Sequence, residues 1–489
     1  MNRPDDDTRP PDDPSRTDQH KESASDRPRL SRRNVLTGAG GALAVVAMSG
    51  GATRARAQRP RPERRADLTG RLARYMAEAR DLSLPESAVL AVKHRILDTF
   101  AAIVSGAKLG PGEVTISYVR DQGGTPEASV ATTDIMTSAV NAALANAMFG
   151  HADETDDFHP FTKAHPGCSV VPAALAMGER ETGSGTEFLR AVVLGYDLCC
   201  RFLVALNPAL VRARGRSAEG YSSTFGATAA AASMARFDEM QMRHAISYGV
   251  QQVSGVWSWV RDPEHIEKAF DFSGMGARNG VAAATMVQAG FTGVTDALEG
   301  ERNVIDALST DPDPEAMVAG LGSRFYVEET AIKPFPVGYP IQSPLSAFFT
   351  LREQHGLTAE NVEHIMAVAL VDGFIDFENS HSFERMTDPE VVAARQKIEL
   401  IADPELAVVE APRSGYVQVT TTDGRQVDLF VSHAPGTPEN PFTTEQVNGK
   451  ARELMAPILG EVRTDALIER VHSIEDVEDI RALRPLLTA

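Results

Sequence analysis

The sequence predicts a mainly α-helical protein, with a large all-helical domain built from both ends of the mature chain and a smaller α+β domain inserted between them. Three observations predict it. Apolar residues recur at helical spacing from Leu68 to about Gln288. Alanine is abundant in these runs while aromatic residues are only 6% of the chain, which favours close helix-on-helix packing. Near Phe325 the pattern changes, alternates about Asp423-Gly424 as a hairpin does, and returns to helix at Thr443.

In chain order, residues 1–30 are rich in Asp, Pro, Arg and Ser with almost no apolar side chains, so they cannot bury a core and read as a disordered extension. Residues 31–57 hold Arg32-Arg33, an uncharged Gly/Ala-rich run and the small-x-small triplet Ala55-Arg56-Ala57. This is the pattern of a twin-arginine export signal, too weakly apolar for a stable membrane anchor. Residues 66–325 form the first part of the helical domain. Helices are expected at 68–79, 86–105 behind Ser83-Leu84-Pro85, 113–120, 138–149, 169–179, 186–206, 241–257 and 276–288, with a short extended piece at 127–132. The segment 215–235 reads as a Gly/Ser loop followed by an Ala-rich helix, and 291–306 as a loop with a short helix. Residues 326–440 form the α+β domain: a rigid Lys333–Pro340 segment, a helix at 341–355, a strand at 362–371 and a hairpin of 415–421 with 425–431. Residues 441–489, with helices at 443–459 and 464–487, rejoin the helical domain.

Composition excludes some functions. The formal charge is −19, and beyond residue 57 the remaining 38 basic and 59 acidic residues give −21. A nucleic-acid partner needs a basic face and is not expected. A small anionic substrate remains compatible, because a few placed cations outvote the mean field. Cys168, Cys199 and Cys200 are too few for a disulfide framework and poorly spaced for an iron–sulfur site, so they read as core thiols. No P-loop, dinucleotide fingerprint or nucleophile elbow is present.

The chemistry gathers between Phe149 and Ala176, where His151, His159 and His165 stand among Asp153, Glu154, Asp156 and Asp157 between two apolar helices. A histidine beside carboxylates serves as acid or base near neutral pH, and loops held by rigid elements carry function. His151, Asp156, Asp157 and His159 include metal-ligand types but lack paired spacing on one helix, so no metal is expected. Ser222 and Ser223 lie where a helix start could hold an anion, and Lys268 and Arg278 are cations near the loop between two later helices.

His151-Ala152-Asp153-Glu154-Thr155-Asp156-Asp157-Phe158-His159 followed by His165-Pro166-Gly167 resembles the signature stretch of the MmgE/PrpD family, which includes 2-methylcitrate dehydratase, cis-aconitate decarboxylase and iminodisuccinate epimerase. Similar pieces follow in the same order: Thr224-Phe225-Gly226, Ala277-Arg278-Asn279-Gly280, Gln288 to Gly293, Ala297 to Gly300 and Lys333-Pro334-Phe335-Pro336. The resemblance covers about residues 66 to 480. It implies that the α+β domain is a lid, that the site lies between the domains without metal or organic cofactor, that the substrate is a small polycarboxylate, and that the protein is a homodimer. It carries over His165 as the proton-transfer residue and Lys333 as the cation for the substrate carboxylate. Glu154, Asp157 and His159 are then expected to tune His165, with His151, Ser222, Ser223, Lys268, Arg278 and Tyr339 binding substrate. The sequence departs from the family pattern at Glu154 (Asp expected), Phe158 (Thr expected), Gly338 (a polar residue expected) and Gly220, near which a second histidine is expected. Lys268 is displaced from its expected place.

The expected activity is that of a lyase of the dehydratase or decarboxylase type. The alternatives are an epimerase or isomerase of a small carboxylic acid, and a non-catalytic organic-acid-binding protein. The expected location is periplasmic or secreted, with no stable membrane anchor after processing. Replacing Arg32 and Arg33 together by Lys should abolish export; cell fractionation that still finds processed protein in the periplasm would refute the signal.

Overall fold

Small side chains set the architecture. The structure, a computed structural model, describes residues 67–358, 367–399, 401, 411 and 413–489. Its first elements are α1 (Leu68–Glu78), α2 (Glu86–Gly106), α3 (Gly110–Gln122), the two-residue strands β1 (Ala128–Ser129) and β2 (Met136–Thr137), and α4 (Ala139–Gly150). After the polar loop come α5 (Gly167–Glu181), α6 (Gly185–Leu206), α7 (Pro208–Ala213), α8 (Ala218–Met234) and α9 (Glu239–Gln252). Then follow α10 (Ile266–Ala269), α11 (Met275–Gln288) and α12 (Val304–Leu308). α8 is buried along its whole length and packs against α5, α6, α9 and α11. Small residues at the crossings permit this, Gly226 against Gly195 and Cys199 of α6 and Ser223 and Ala227 against Gly276 and Gly280 of α11, while Tyr221, Phe225 and Met234 are buried on the same helix. Where α6 crosses α8, a Cβ on Gly226 would come within 2.7 Å of both Cys199 Cβ and the Gly195 carbonyl oxygen.

The remaining elements are α13 (Gln342–His355), α14 (Ala367–Asp372), α15 (Phe377–His381), α16 (Phe383–Thr387), α17 (Pro389–Arg395), the strands β3 (Gly415–Thr420) and β4 (Gln426–Val431), and α18 (Thr444–Leu459), α19 (Glu461–His472) and α20 (Arg484–Leu487). β3 and β4 pair antiparallel, Gly415 with Val431 through Thr420 with Gln426, about the Asp423-Gly424 turn. The main core runs from Leu68 to Ile332 and resumes with Val447 to Leu487. A second, smaller core joins Leu345, Phe348, Leu351, Leu357, Ala369, Leu370, Ala394 and Val419. The mainly α class expected from the sequence holds. Among the described residues no helix is long and apolar enough to cross a membrane. The three cysteines are free and buried.

Four local expectations are corrected. The Gly/Ser front of 215–235 is helix from Ala218 on, capped by the Ser217 side chain. Its hydroxyls bond back to the carbonyls of the preceding turn, so the polar residues need no loop. The strand expected at 362–371 is helix from Ala367 to Asp372, and 362–366 lie outside the described residues; a short apolar run does not distinguish the two. The helix expected at 241–257 ends at Gln252, ahead of Gly255 at φ 123° and a 3₁₀ turn at Trp257–Arg261. The helix expected at 464–487 breaks after His472. Ile474, Val477, Ile480 and Leu483 are all buried at intervals of three, the spacing that a 3₁₀ turn aligns on one face. The N-terminal extension and the export signal lie outside the described residues.

Gly226→Ala should lower stability by about 1–3 kcal/mol through overpacking of the α6–α8 crossing. Urea unfolding with an unchanged slope and a lower midpoint is the expected result.

Candidate functional site

The loop between α4 and α5 is held by backbone pairing before any side-chain chemistry enters. Phe158 and Ala331 exchange hydrogen bonds of 3.0 and 2.8 Å, and the Ile332 N–H donates to the Gly436 carbonyl at 2.9 Å. This threads Lys333 behind the loop. From α18, the Lys450 ammonium donates to the Thr155 carbonyl at 2.9 Å and to Asp98 of α2 at 2.6 Å. Residues nearly 300 positions apart thus fix one loop.

Asp156 is its centre. It has no solvent exposure, and His151 Nδ1 and His165 Nδ1 both lie 3.0 Å from its Oδ2, while Lys333 Nζ lies 3.4 Å from its Oδ1. Burial alone would raise this carboxyl; the two imidazoles and the ammonium outweigh it and hold Asp156 well below the ordinary carboxylate range. An ionised carboxylate only accepts, so both rings donate from Nδ1 and, when neutral, leave Nε2 unprotonated. Lys333, itself fully buried, also lies 3.3 Å from Glu154. The other Glu154 oxygen pairs with Lys268, whose ammonium sits over the rings of Trp259 and Phe272 at 5.4 and 5.3 Å. Burial and the neighbouring Lys333 charge pull the Lys268 ammonium down to about 7.

Phe272 is the apolar wall. It lies in a π-helical turn, Phe270–Gly274, between α10 and α11, and stacks on His151 at 4.5 Å with an interplanar angle of 7°. Its carbonyl accepts from Ser223 of α8. His265, at φ 62°, brings its ring within 5.3 Å of His151. From α15, His381 Nε2 lies 3.5 Å from Asp153, which also accepts from Thr155 N and Oγ1.

The expected site residues fall in three places. His151, His165, Glu154, Lys268 and Lys333 converge. Asp157 and Tyr339 flank them: Asp157 accepts the Gly167 N–H at the start of α5 at 3.0 Å, and Tyr339 packs its ring on Phe158 at 3.5 Å, its hydroxyl pushed up to about 12 by burial. The others point elsewhere. His159 bonds Thr162 at 2.8 Å and faces Glu329 at 3.7 Å. The Ser222 and Ser223 hydroxyls donate to backbone carbonyls. Arg278 lines a separate cavity of about 670 Å³ with Val114, Tyr118, Met148 and Glu267. Asp156, His265, Phe272 and His381 are additions. Asp156 was visible in the acidic cluster but not separable from Asp157; the other three lie more than 100 residues away without a local motif.

His151, Asp156 and His165, or His151, Glu154 and His265, bring ligand-type atoms within 4.8 Å of one another. Two lysine ammoniums on the adjoining carboxylates oppose a bound cation there and favour an anion. At Gly220 a Cβ would lie 2.7 Å from the Ser254 carbonyl and 3.1 Å from that of Asp271, so no side chain fits.

A mainly helical scaffold around a buried imidazole–carboxylate–lysine cluster is a site equipped for proton transfer beside an anion. Residues 70–317 match the MmgE/PrpD N-terminal domain and residues 361–476 the MmgE/PrpD C-terminal domain, and the chain belongs to this family. It is similar to a cis-aconitate decarboxylase-like protein of Aspergillus oryzae, 20% identical over 86% of this chain and 97% of that one. It is also similar to the cis-aconitate decarboxylases of Aspergillus terreus, at 22% over 86% and 96%, and of Homo sapiens, at 22% over 81% and 89%.

Burial, with Asp98 nearby, raises the Asp157 carboxyl to about 6. A raised carboxyl contributes stability that is fully present below its unfolded value of 3.8 and lost as pH rises through about 6. Asp157→Asn should therefore flatten the thermal-stability profile between pH 4 and 7, by on the order of 2 kcal/mol. Parallel profiles for variant and wild type would refute this.

Proposed function

We propose that the protein is a lyase of the MmgE/PrpD type, of the dehydratase or decarboxylase kind. It acts on a small di- or tricarboxylate by proton transfer next to a carboxylate, without metal or organic cofactor. The observation that carries this reading is Asp156 joining His165 and Lys333 in one buried group. The names of the similar decarboxylases support it.

In this mechanism His165 takes the proton at Nε2, while Asp156 holds its tautomer and stabilises the imidazolium. The electron pair left behind delocalises into the substrate carboxylate, where a fixed ammonium lowers the barrier because it needs no reorganisation. Lys333 is that ammonium, and its burial keeps its charge unscreened by water. Lys268 is a second anchor. Glu154, now bridging the two lysines, is the internal carboxylate that a substrate carboxylate competes with. Export by the twin-arginine signal and a homodimer through the helical domain belong to the same proposal, resting on the sequence pattern.

The test is turnover of purified protein on a panel of di- and tricarboxylates, including cis-aconitate, followed by proton NMR in deuterated water. His165→Ala should lower turnover by about 100-fold or more. Lys333→Ala should weaken binding as well. If both variants fold and keep near-normal turnover, the site lies elsewhere.

A further inference from the structure

We propose that His265 is the second proton-transfer residue of this site, acting as acid opposite His165. The inference rests on the lyase reading and adds to it the group that handles the other proton. His265 is not among the family motifs in the sequence; the fold alone brings it here.

Four observations assign it. The His265 Nε2 atom is buried and has no hydrogen-bond partner, and the same holds for Nε2 of its neighbour His151. Orphaned buried polar atoms are rare in a folded protein and mark places where a ligand or reacting group belongs. A ring nitrogen of each of these two histidines and a carboxylate oxygen of Glu154 lie within 4.8 Å of one another. The His265 ring thus adjoins the carboxylate that occupies the lysine pair. His265 also sits at φ 62°, a left-handed conformation uncommon outside glycine, at the start of the short α10. Strain of this kind persists where the surrounding structure enforces it, and it clusters at working sites. Finally, His165 and His265 flank the same ring, with centroids 5.0 and 5.3 Å from His151. Both imidazoles therefore stand against one ring, and of these two His165 is the one tied to a carboxylate by Nδ1.

The step balances for an elimination. His165 Nε2 takes the proton next to the carboxylate. The freed electron pair forms the carbon–carbon double bond and the carbon–oxygen bond breaks. His265, entering as imidazolium, gives its proton to the departing hydroxide, which leaves as water. Where the substrate loses carbon dioxide instead, the electron pair of the broken carbon–carbon bond stays on carbon, and His265 protonates that carbon. Burial, opposed by Asp153 and Asp156, lowers the His265 imidazole below the ordinary histidine value in the free protein; the negative charge of a bound carboxylate substrate favours its imidazolium form, which then releases the proton readily.

The experiment uses the full chain and His265→Asn, since asparagine tolerates the left-handed backbone. Circular dichroism and thermal melting establish that the variant is folded. With whichever of citrate, malate or cis-aconitate wild type converts, both net turnover and deuterium incorporation from solvent are measured. For a substrate that loses water the expected result is turnover down by about 100-fold, with exchange, the His165 half of the chemistry, retained so that the exchange-to-turnover ratio rises at least about tenfold; for one that loses carbon dioxide, where no proton is abstracted, it is turnover down by about 100-fold with the thermal shift on substrate binding retained. Exchange and turnover falling together would overturn the assignment by making His265 a structural residue. Both rates staying within about threefold of wild type would overturn it directly. A stoichiometric divalent metal in wild type that the variant lacks would overturn it too, by making His265 a ligand. Wild type inert to all three acids would sink the lyase reading and this assignment together, whereas an active wild type with an unaffected variant sinks the assignment alone.

Discussion

One buried negative charge organises the centre of this protein. Asp156 has no access to water, and an isolated carboxylate there would be strongly penalised. It stays ionised because two imidazoles and an ammonium surround it. That requirement reaches well beyond the loop: Lys333 must arrive from 177 residues away, and the Phe158–Ala331 backbone pairing delivers it. Breaking such a buried group by removing one member leaves an uncompensated charge, typically at a cost of about 3–5 kcal/mol. The group is therefore a constraint on the fold as much as a piece of chemistry.

The surrounding helices exist to make that constraint satisfiable. Where α8 meets α11 it sets Ser223 and Ala227 against Gly276 and Gly280, which lets α11 and the π-helical turn before it come close. The close approach sets Phe272 flat against His151 and aims Lys268 at Glu154. A conventional helical turn at Phe270–Gly274 would rotate that ring relative to the neighbouring elements. The Ser223 hydroxyl on the Phe272 carbonyl ties the two helices at this point. An apolar wall on one side and paired charges on the other give a site with little water and strong electrostatics.

Much of this was legible in the residues. The helical periods placed α1, α2, α4, α5, α6 and α18 to within a few residues, and Asp423-Gly424 placed the β3–β4 hairpin. His165 and Lys333 stood out because each lies beside proline in a recognisable motif. The errors arose where local pattern is degenerate. Serines bonding back into their own helix look like a loop, an apolar run of ten looks like a strand, and a spacing of three looks like an α-helix. Asp156 and Asp157 are adjacent and chemically identical, yet one turns to the histidines and the other to the Gly167 N–H.

The sequence by itself determined the helical class, the position of the polar loop, the acidic balance and five residues that converge there, His151, Glu154, His165, Lys268 and Lys333. It did so because periodicity, turn chemistry and composition are local properties, written in consecutive residues. Only the tertiary structure decided which carboxylate is the hub, that His159, Ser222, Ser223 and Arg278 face elsewhere, and that His265, Phe272 and His381 join the loop. Those outcomes depend on which distant segments meet and on a balance of burial against charge. Neither is encoded at any one position; both follow from packing the whole chain around one ion that water cannot reach.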